Sequence, residues 1–192
     1  MAKKRLFLAI ELPYEIKKKI MDSFAKKERL SFIKKCRYTP FENLHATLLF
    51  LGDLDEEASL FIEKEMKTTE KFPQFLLHFD RFVFAPTPLH PRMIWAQFKK
   101  NEHFQKLVEY FQEKFKDVIV KKTHERLCIH VTIARFAVID HMNKENMLYE
   151  FPACDIPPFL VEHIELFCSE RTPSSVHYKK LGSYPLCKDT RS

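Results

Sequence analysis

Two short segments of this chain carry side chains that can do acid–base chemistry in a shared frame, Leu44-His45-Ala46-Thr47-Leu48 and Ile129-His130-Val131-Thr132-Ile133. Each reads apolar-His-x-Thr-apolar. On an extended strand residues i and i+2 share a face, so each imidazole projects with its threonine hydroxyl while the apolar neighbours enter the opposite side. A polar pair in an otherwise apolar strand needs hydrogen-bond partners or water, and a face lining a groove supplies them. If two such strands face each other, two imidazoles and two hydroxyls converge. Cleavage of a phosphodiester needs a base for the nucleophile and an acid for the leaving oxygen, and imidazole titrates near neutral pH. Thr47, Thr132 and Arg135, which follows five residues after His130, are suited to hold nonbridging oxygens and stabilise transition-state charge.

A single His-x-Thr on a strand is more often structural than catalytic, and the second copy is what separates this pattern from that background. His78, His90, His103, His124, His141, His163 and His177 share no such frame and read as surface or structural residues. Metal binding is the rival use of paired histidines. There is no HExxH, neither motif holds an acidic residue, and Glu42 and Asp53 nearby do not complete a ligand set, so no metal and no cofactor are expected.

The elements that must position these residues follow from periodicity. Arg5–Ile10 reads as a strand, and Pro13 suits the first turn of a helix in which Ile16, Ile20, Met21 and Phe24 recur, fading near Arg29. The turn Thr39–Asn43 feeds a buried strand over Leu44–Leu51 that stops at Gly52-Asp53. Asp55 caps a second helix with Ala58, Phe61, Ile62 and Met66 on one face, and Phe75–Phe84 reads as one extended segment. The proline-rich loop Ala85–Arg92 reads as a rigid connector, with shaping of a binding groove as the alternative, and Met93–Phe98 after it is a strand. Phe104, Leu107, Val108, Phe111 and Phe115 form the clearest amphipathic helix, a stripe read as core. Leu127–Ala134 is a strand, Lys144–Leu148 a short helix, and Phe159–Cys168 and Val176–Leu181 are strands around the turn Thr172-Pro173-Ser174-Ser175. Interleaved helices and adjacent strands mark an α+β chain, and the doubled motif marks two related lobes.

With 192 residues, 45% hydrophobic and 14% aromatic, the chain buries a core as one domain of two lobes spanning 1–192. A net charge of +6 and a pI near 9.0 favour an anionic partner such as nucleic acid, with plain solubility as the alternative. Five scattered cysteines without a CxxC pair indicate reduced thiols, neither a disulfide framework nor a zinc knuckle. No apolar run approaches the length of a membrane span, and Leu6–Ile10 is too short for a signal peptide. A cytoplasmic, non-membrane monomer is the expectation.

Over nearly its whole length the chain resembles the two-histidine phosphoesterases, and within them the RNA 2′,3′-cyclic phosphodiesterases formerly called 2′-5′ RNA ligases. The residues that carry the resemblance are Arg5–Ile10 followed by Leu12-Pro13, Glu42-Asn43-Leu44-His45-Ala46-Thr47-Leu48-Leu49-Phe50-Leu51-Gly52, and Ile129-His130-Val131-Thr132-Ile133-Ala134-Arg135. It implies an α+β, bilobal, pseudo-twofold arrangement of antiparallel sheets with flanking helices forming a V-shaped groove. It also implies metal-independent hydrolysis of RNA 2′,3′-cyclic phosphate termini to 2′-phosphomonoesters. His45 would then be the proton donor to the departing 3′ oxygen, His130 the proton acceptor that activates water, and Thr47, Thr132 and Arg135 the phosphate-binding residues. Two departures are Ile129 where a proline often precedes the second histidine, and the presence of only two glycines, Gly52 and Gly182. Tyr178 and Phe7 read as core, with base stacking as the alternative. Competing functions are a phosphodiesterase or ligase for 2′-5′ linkages or small cyclic nucleotides, and a non-catalytic RNA-end or nucleotide-binding module.

Overall fold

The computed structural model describes residues 3–25, 36–88, 90–119, 128–136, 151, 153–172 and 176–188. The short helix expected at Lys144–Leu148 and the turn at Pro173-Ser174-Ser175 lie outside the described residues. The order is β1 (Lys4–Glu11), α1 (Tyr14–Ala25), β2 (Cys36–Tyr38), β3 (His45–Leu54), α2 (Glu56–Glu65), β4 (Phe75–Leu77), β5 (Phe79–Ala85), β6 (Met93–Phe98), α3 (Glu102–Lys114), β7 (His130–Phe136), β8 (Phe159–Val161), β9 (His163–Arg171) and β10 (Val176–Pro185). Short stretches of 3-10 helix at Phe41–Asn43 and Met66–Lys71 complete it.

The fold is α+β and antiparallel. One sheet runs β10-β9-β1-β3-β7-β6-β5 with β2 beside β7, and β4 pairs β8 in a separate ribbon. The two halves of the large sheet meet between β3 and β7 at a single pair, Ala46 opposite Val131, which are the middle residues of the two His-x-Thr motifs. The two expected sheets are therefore joined at the motifs themselves. The β1–β3 half is backed by α2 and α3, where Phe61 meets Phe115 at 6.1 Å, and the β5–β7 half by α1, where Phe24 meets Phe82 at 5.7 Å.

The helices form for the reasons their sequences give. Pro13 stands just before α1, and its carbonyl accepts from Ile16 N and Lys17 N at 3.0 Å. Asp55 caps α2 by accepting from Ala58 N at 2.9 Å, and Asn101 caps α3 by accepting from Phe104 N at 3.0 Å. The α3 stripe, Phe104, Leu107, Val108, Phe111 and Phe115, is wholly buried, and such a side chain contributes ~1.5–3 kcal/mol by leaving water. Phe61 departs from the expected apolar face of α2 and is 41% exposed, because Ser59 and Ile62 face inward there instead.

Two segments read as continuous strands each change sheets midway. Phe75–Phe84 breaks at His78, whose carbonyl accepts from Lys99 N, and Phe159–Cys168 breaks at Glu162, whose carbonyl accepts from Leu186 N. The first pieces pair with each other as β4 and β8, Leu76 opposite Leu160, while the second pieces join the large sheet.

Candidate active site

The side chains of His45 and Thr47 lie on one face of β3, and those of His130 and Thr132 on one face of β7. Ala46 and Val131 are fully buried behind them. With Ala46 opposite Val131 in an antiparallel pair, the positions on either side, His45 with Thr132 and Thr47 with His130, fall toward one another on the half-buried sheet face that carries both motifs, termed the groove face after the expected groove. The structure thus brings together all four motif side chains.

Both imidazoles are held the same way. His45 Nδ1 lies 2.7 Å from the Asn43 carbonyl and His130 Nδ1 lies 2.9 Å from the Cys128 carbonyl. A carbonyl only accepts, so in each ring Nδ1 carries a proton and donates it, which leaves Nε2 as the atom that can gain or lose a proton. His45 Nε2 sits 3.1 Å from the Thr47 hydroxyl. The Asn43 carbonyl is positioned by a 3-10 turn, and the buried Asn43 side chain donates from Nδ2 to the Val176 carbonyl at 2.8 Å, tying β10 to that turn.

The rings have different surroundings. His45 is boxed by Phe7 at 5.0 Å, Tyr178 edge-on at 5.0 Å and Phe167 at 6.3 Å. Burial lowers its pKa to about 4; the Asn43 hydrogen bond opposes this, while His130, Lys17 and Arg135 add to it. His130 stacks on Trp95 at 3.7 Å with the planes 17° apart. Phe7, Ala9 and Phe167, with Tyr178 against them, form a small apolar cluster separate from the main core, so the core reading of Phe7 holds while Tyr178 remains half-buried beside His45. Below His45, its β1 partner Glu11 accepts from Lys17 at 3.2 Å and from Lys180 at 2.5 Å. Burial alone would raise the Glu11 carboxyl, but the two lysines outweigh it and hold it below its ordinary value.

Arg135 reaches this face through an irregularity. In simple alternation it would share the buried face of Val131 and Ile133. The β6–β7 register instead runs Trp95 opposite Thr132 and then Ile94 opposite Ala134, leaving Ile133 as an extra residue. That bulge sends both Ile133 and Ala134 into the core and returns Arg135 to the side of His130 and Thr132. Strand β3 repeats the device: Ala9 faces Thr47 and Leu8 faces Leu49, so Leu48 is extra, and Phe50 returns to the groove face 53% exposed. Phe50 is therefore the counterpart of Arg135. Sequence reasoning missed Phe50, Trp95 and Asn43. The signal for the first was present as a doubled apolar pair after each threonine, Leu48-Leu49 and Ile133-Ala134, where a regular strand would alternate.

Among the described residues no three His, Cys, Asp or Glu side chains come together as a metal-binding group. Asp53 pairs with Arg5 at 2.8–2.9 Å and Glu42 is exposed. His177 is exposed on β10, and no helix among the described residues is long and apolar enough to cross a membrane.

Residues 10–95 match the model of the LigT-like phosphoesterases. The RNA 2′,3′-cyclic phosphodiesterase of Methanocaldococcus jannaschii is 32% identical over 184 residues, which is 94% of this chain and 99% of that protein. The chain belongs to the LigT-like phosphoesterase family. A second relative with the same name, from Thermotoga maritima, is 28% identical across 92% of each chain. Among solved structures, a Thermus thermophilus protein superposes with a TM-score of 0.76 at 23% identity, covering 96% of this chain and 99% of its own. Escherichia coli LigT complexed with 3′-AMP gives 0.73 at 22%, covering 97% and 99%. These two establish likeness of fold. In this LigT-like phosphoesterase, both copies of the motif lie in the halves of the sheet that meet at Ala46 and Val131.

Proposed function

We propose that this chain, a single two-lobed domain, hydrolyses RNA 2′,3′-cyclic phosphate termini to 2′-phosphomonoesters by metal-independent acid–base catalysis between His45 and His130. The observation that carries this reading is the matched pair of Nδ1–carbonyl hydrogen bonds, which leaves two Nε2 atoms as proton-transfer groups on one face. Binding alone has no need of two imidazoles with fixed tautomers. The names of the curated relatives and the 3′-AMP complex of E. coli LigT support the substrate class.

In this mechanism His130 Nε2 takes a proton from water, the water oxygen attacks phosphorus, the bond from phosphorus to the 3′ oxygen breaks, and His45 Nε2 delivers its proton to that oxygen. The products are a 2′-phosphomonoester and a free 3′-hydroxyl. Thr47, Thr132 and Arg135 hold the nonbridging oxygens as charge builds on them. His45 must arrive at this step protonated, whereas burial and neighbouring cations keep it neutral at pH 7 without substrate. The anionic phosphate acts against both, since a negative charge beside a buried imidazole favours its charged form, and on this reading His45 takes up its proton together with the substrate. The protein works as a monomer in the cytoplasm on this reading.

The test is a short RNA bearing a 2′,3′-cyclic phosphate, incubated in EDTA with wild type, His45→Ala and His130→Ala, with the product identified as the 2′- or 3′-phosphate. Conversion to the 2′-phosphate that requires both histidines is expected. Tight binding without turnover by folded wild type would leave a nucleotide-binding module, and loss of activity in EDTA would restore the metal reading.

A further inference from the structure

The groove is pseudo-symmetric in its histidines and threonines but not in what flanks them. Five residues after each histidine, past the bulge, stand Phe50 on β3 and Arg135 on β7, both exposed on the groove face. The β1 neighbour of Phe50 is Phe7, with ring centroids 6.1 Å apart. The β2 neighbour of Arg135 is Arg37. One flank is therefore aromatic and the other carries two arginines side by side.

The placement of Arg37 follows from register. Directly opposed residues of an antiparallel pair project to the same face, so Arg37 shares the groove side with Arg135. The next residue confirms the alternation: Tyr38 turns the other way and meets Phe24 of α1 at 6.0 Å, behind the sheet. Like charges directly opposite each other destabilise a strand pair unless something of opposite sign lies between or above them. Among the described residues neither Arg37 nor Arg135 forms a salt bridge, and the described hydrogen-bond partner of Arg135 is the Met93 thioether, a weak acceptor, at 2.9 Å. Two guanidinium forks with unused donors, adjacent on an exposed strand pair, are suited to the oxyanions of a phosphodiester.

We propose that Arg37 forms a second phosphate subsite, next to Arg135, that binds the phosphodiester preceding the terminal cyclic phosphate of an RNA strand. The inference rests on the phosphodiesterase reading for the cyclic phosphate and adds a direction to it. The strand leaves the site over β2 and β7, because on the aromatic flank the described cations nearest Phe7 in register, Arg5 and Lys180, are already paired, Arg5 with Asp53 and Lys180 with Glu11 and Glu165. The subsite makes the protein favour RNA ends over mononucleotide cyclic phosphates, since a nucleoside 2′,3′-cyclic phosphate has no preceding phosphodiester to place on Arg37.

The experiment compares kcat/KM for a nucleoside 2′,3′-cyclic phosphate and for a dinucleotide ending in the same cyclic phosphate, using wild type, Arg37→Gln, Arg37→Lys and Lys116→Gln. Arg37→Gln should lower the dinucleotide value ~10-fold and change the mononucleotide value less than about twofold. Arg37→Lys should recover part of the loss, and Lys116→Gln, which removes an equal charge just past the end of α3, should do neither. A parallel arm reads equilibrium binding of a 5′-fluorescein RNA hexamer with a 2′-phosphate end against salt, where loss of one phosphate contact reduces the slope of log K on log salt by ~0.7. Equal losses on both substrates, or no selective loss with an unchanged salt slope, overturn the subsite. Reduced salt slope in a protein whose wild type converts neither substrate upholds the subsite and refutes the cyclic phosphodiesterase reading instead.

Discussion

Replacing His45 with glutamine should remove a defined part of the acid sensitivity of folding. In the native protein burial holds this imidazole neutral, with a pKa of about 4, whereas in the unfolded chain it titrates at its ordinary value of 6.5. The folded-state value is the depressed one, so the stabilisation is complete above pH 6.5 and is lost as pH falls through the interval down to 4. Linkage between those two values gives a loss of about 2 kcal/mol between pH 7 and pH 5, and ~3 kcal/mol by pH 4. Glu11, whose carboxyl is held low by Lys180 and Lys17 against the opposing effect of burial, is also destabilising in acid, but mainly at and below its ordinary value of 4.5. Comparing pH 7 with pH 5 therefore keeps Glu11 out of the difference, and comparing wild type with the variant cancels the histidines common to both. The assay is urea unfolding of wild type and His45→Gln at both pH values. Wild type should lose about 2 kcal/mol more than the variant on acidification. Equal losses, within ~0.5 kcal/mol, would refute the claim that burial keeps His45 neutral, and with it the argument that its proton arrives with the substrate.

Three further outcomes follow from the same geometry. Binding of a nucleoside 2′-phosphate at pH 6.5, measured calorimetrically in buffers of different ionisation enthalpy, should take up as much as about one proton in wild type and none attributable to this site in His45→Gln. Trp95→Leu removes the ring stacked on His130, and kcat should fall ~3- to 10-fold with KM little changed, corresponding to the ~0.5–1.5 kcal/mol of such a contact; a rise in KM alone would contradict this. Asn43→Ala leaves the backbone carbonyl that holds His45 but strands the Val176 carbonyl, so urea denaturation should show a loss of ~1–2 kcal/mol.

The helices were legible wherever tertiary pairing had no say in them. The α3 stripe and the Asp55 cap of α2 are local patterns, and β6 spans the predicted Met93–Phe98. What was not legible depends on partners distant in sequence. Nothing in Phe75–Phe84 says that it changes sheets at His78, because an extended run has the same alternation whichever neighbour it pairs with. Strand β2 is three residues long and exists by pairing with β7, and β10 runs beyond the expected Leu181 to Pro185 because a bulge between Lys180 and Gly182 restores its register on β9. Phe61 sits at the edge of the inward face of α2, against Phe115 yet 41% exposed, because the centre of that face admits a serine, Ser59.

The site itself was legible in its centre and not at its edges, for one physical reason. His-x-Thr keeps the period of two, so the four motif side chains could be placed on one face from sequence. Arg135 lies at an odd separation from His130, which in a regular strand puts it behind the sheet, yet it is exposed on the groove side. The bulge resolves this, and it occurs in both copies immediately after the threonine, at Leu48 and at Ile133. A duplicated irregularity of this kind aims one more side chain from each half at the site, and the chain uses the two places differently, for Phe50 and for Arg135. In the proposed reaction the symmetric histidines and threonines carry proton transfer, which is indifferent to strand direction. The residues brought in by the bulges break that symmetry, and on the proposed reading they are what gives an RNA end its direction.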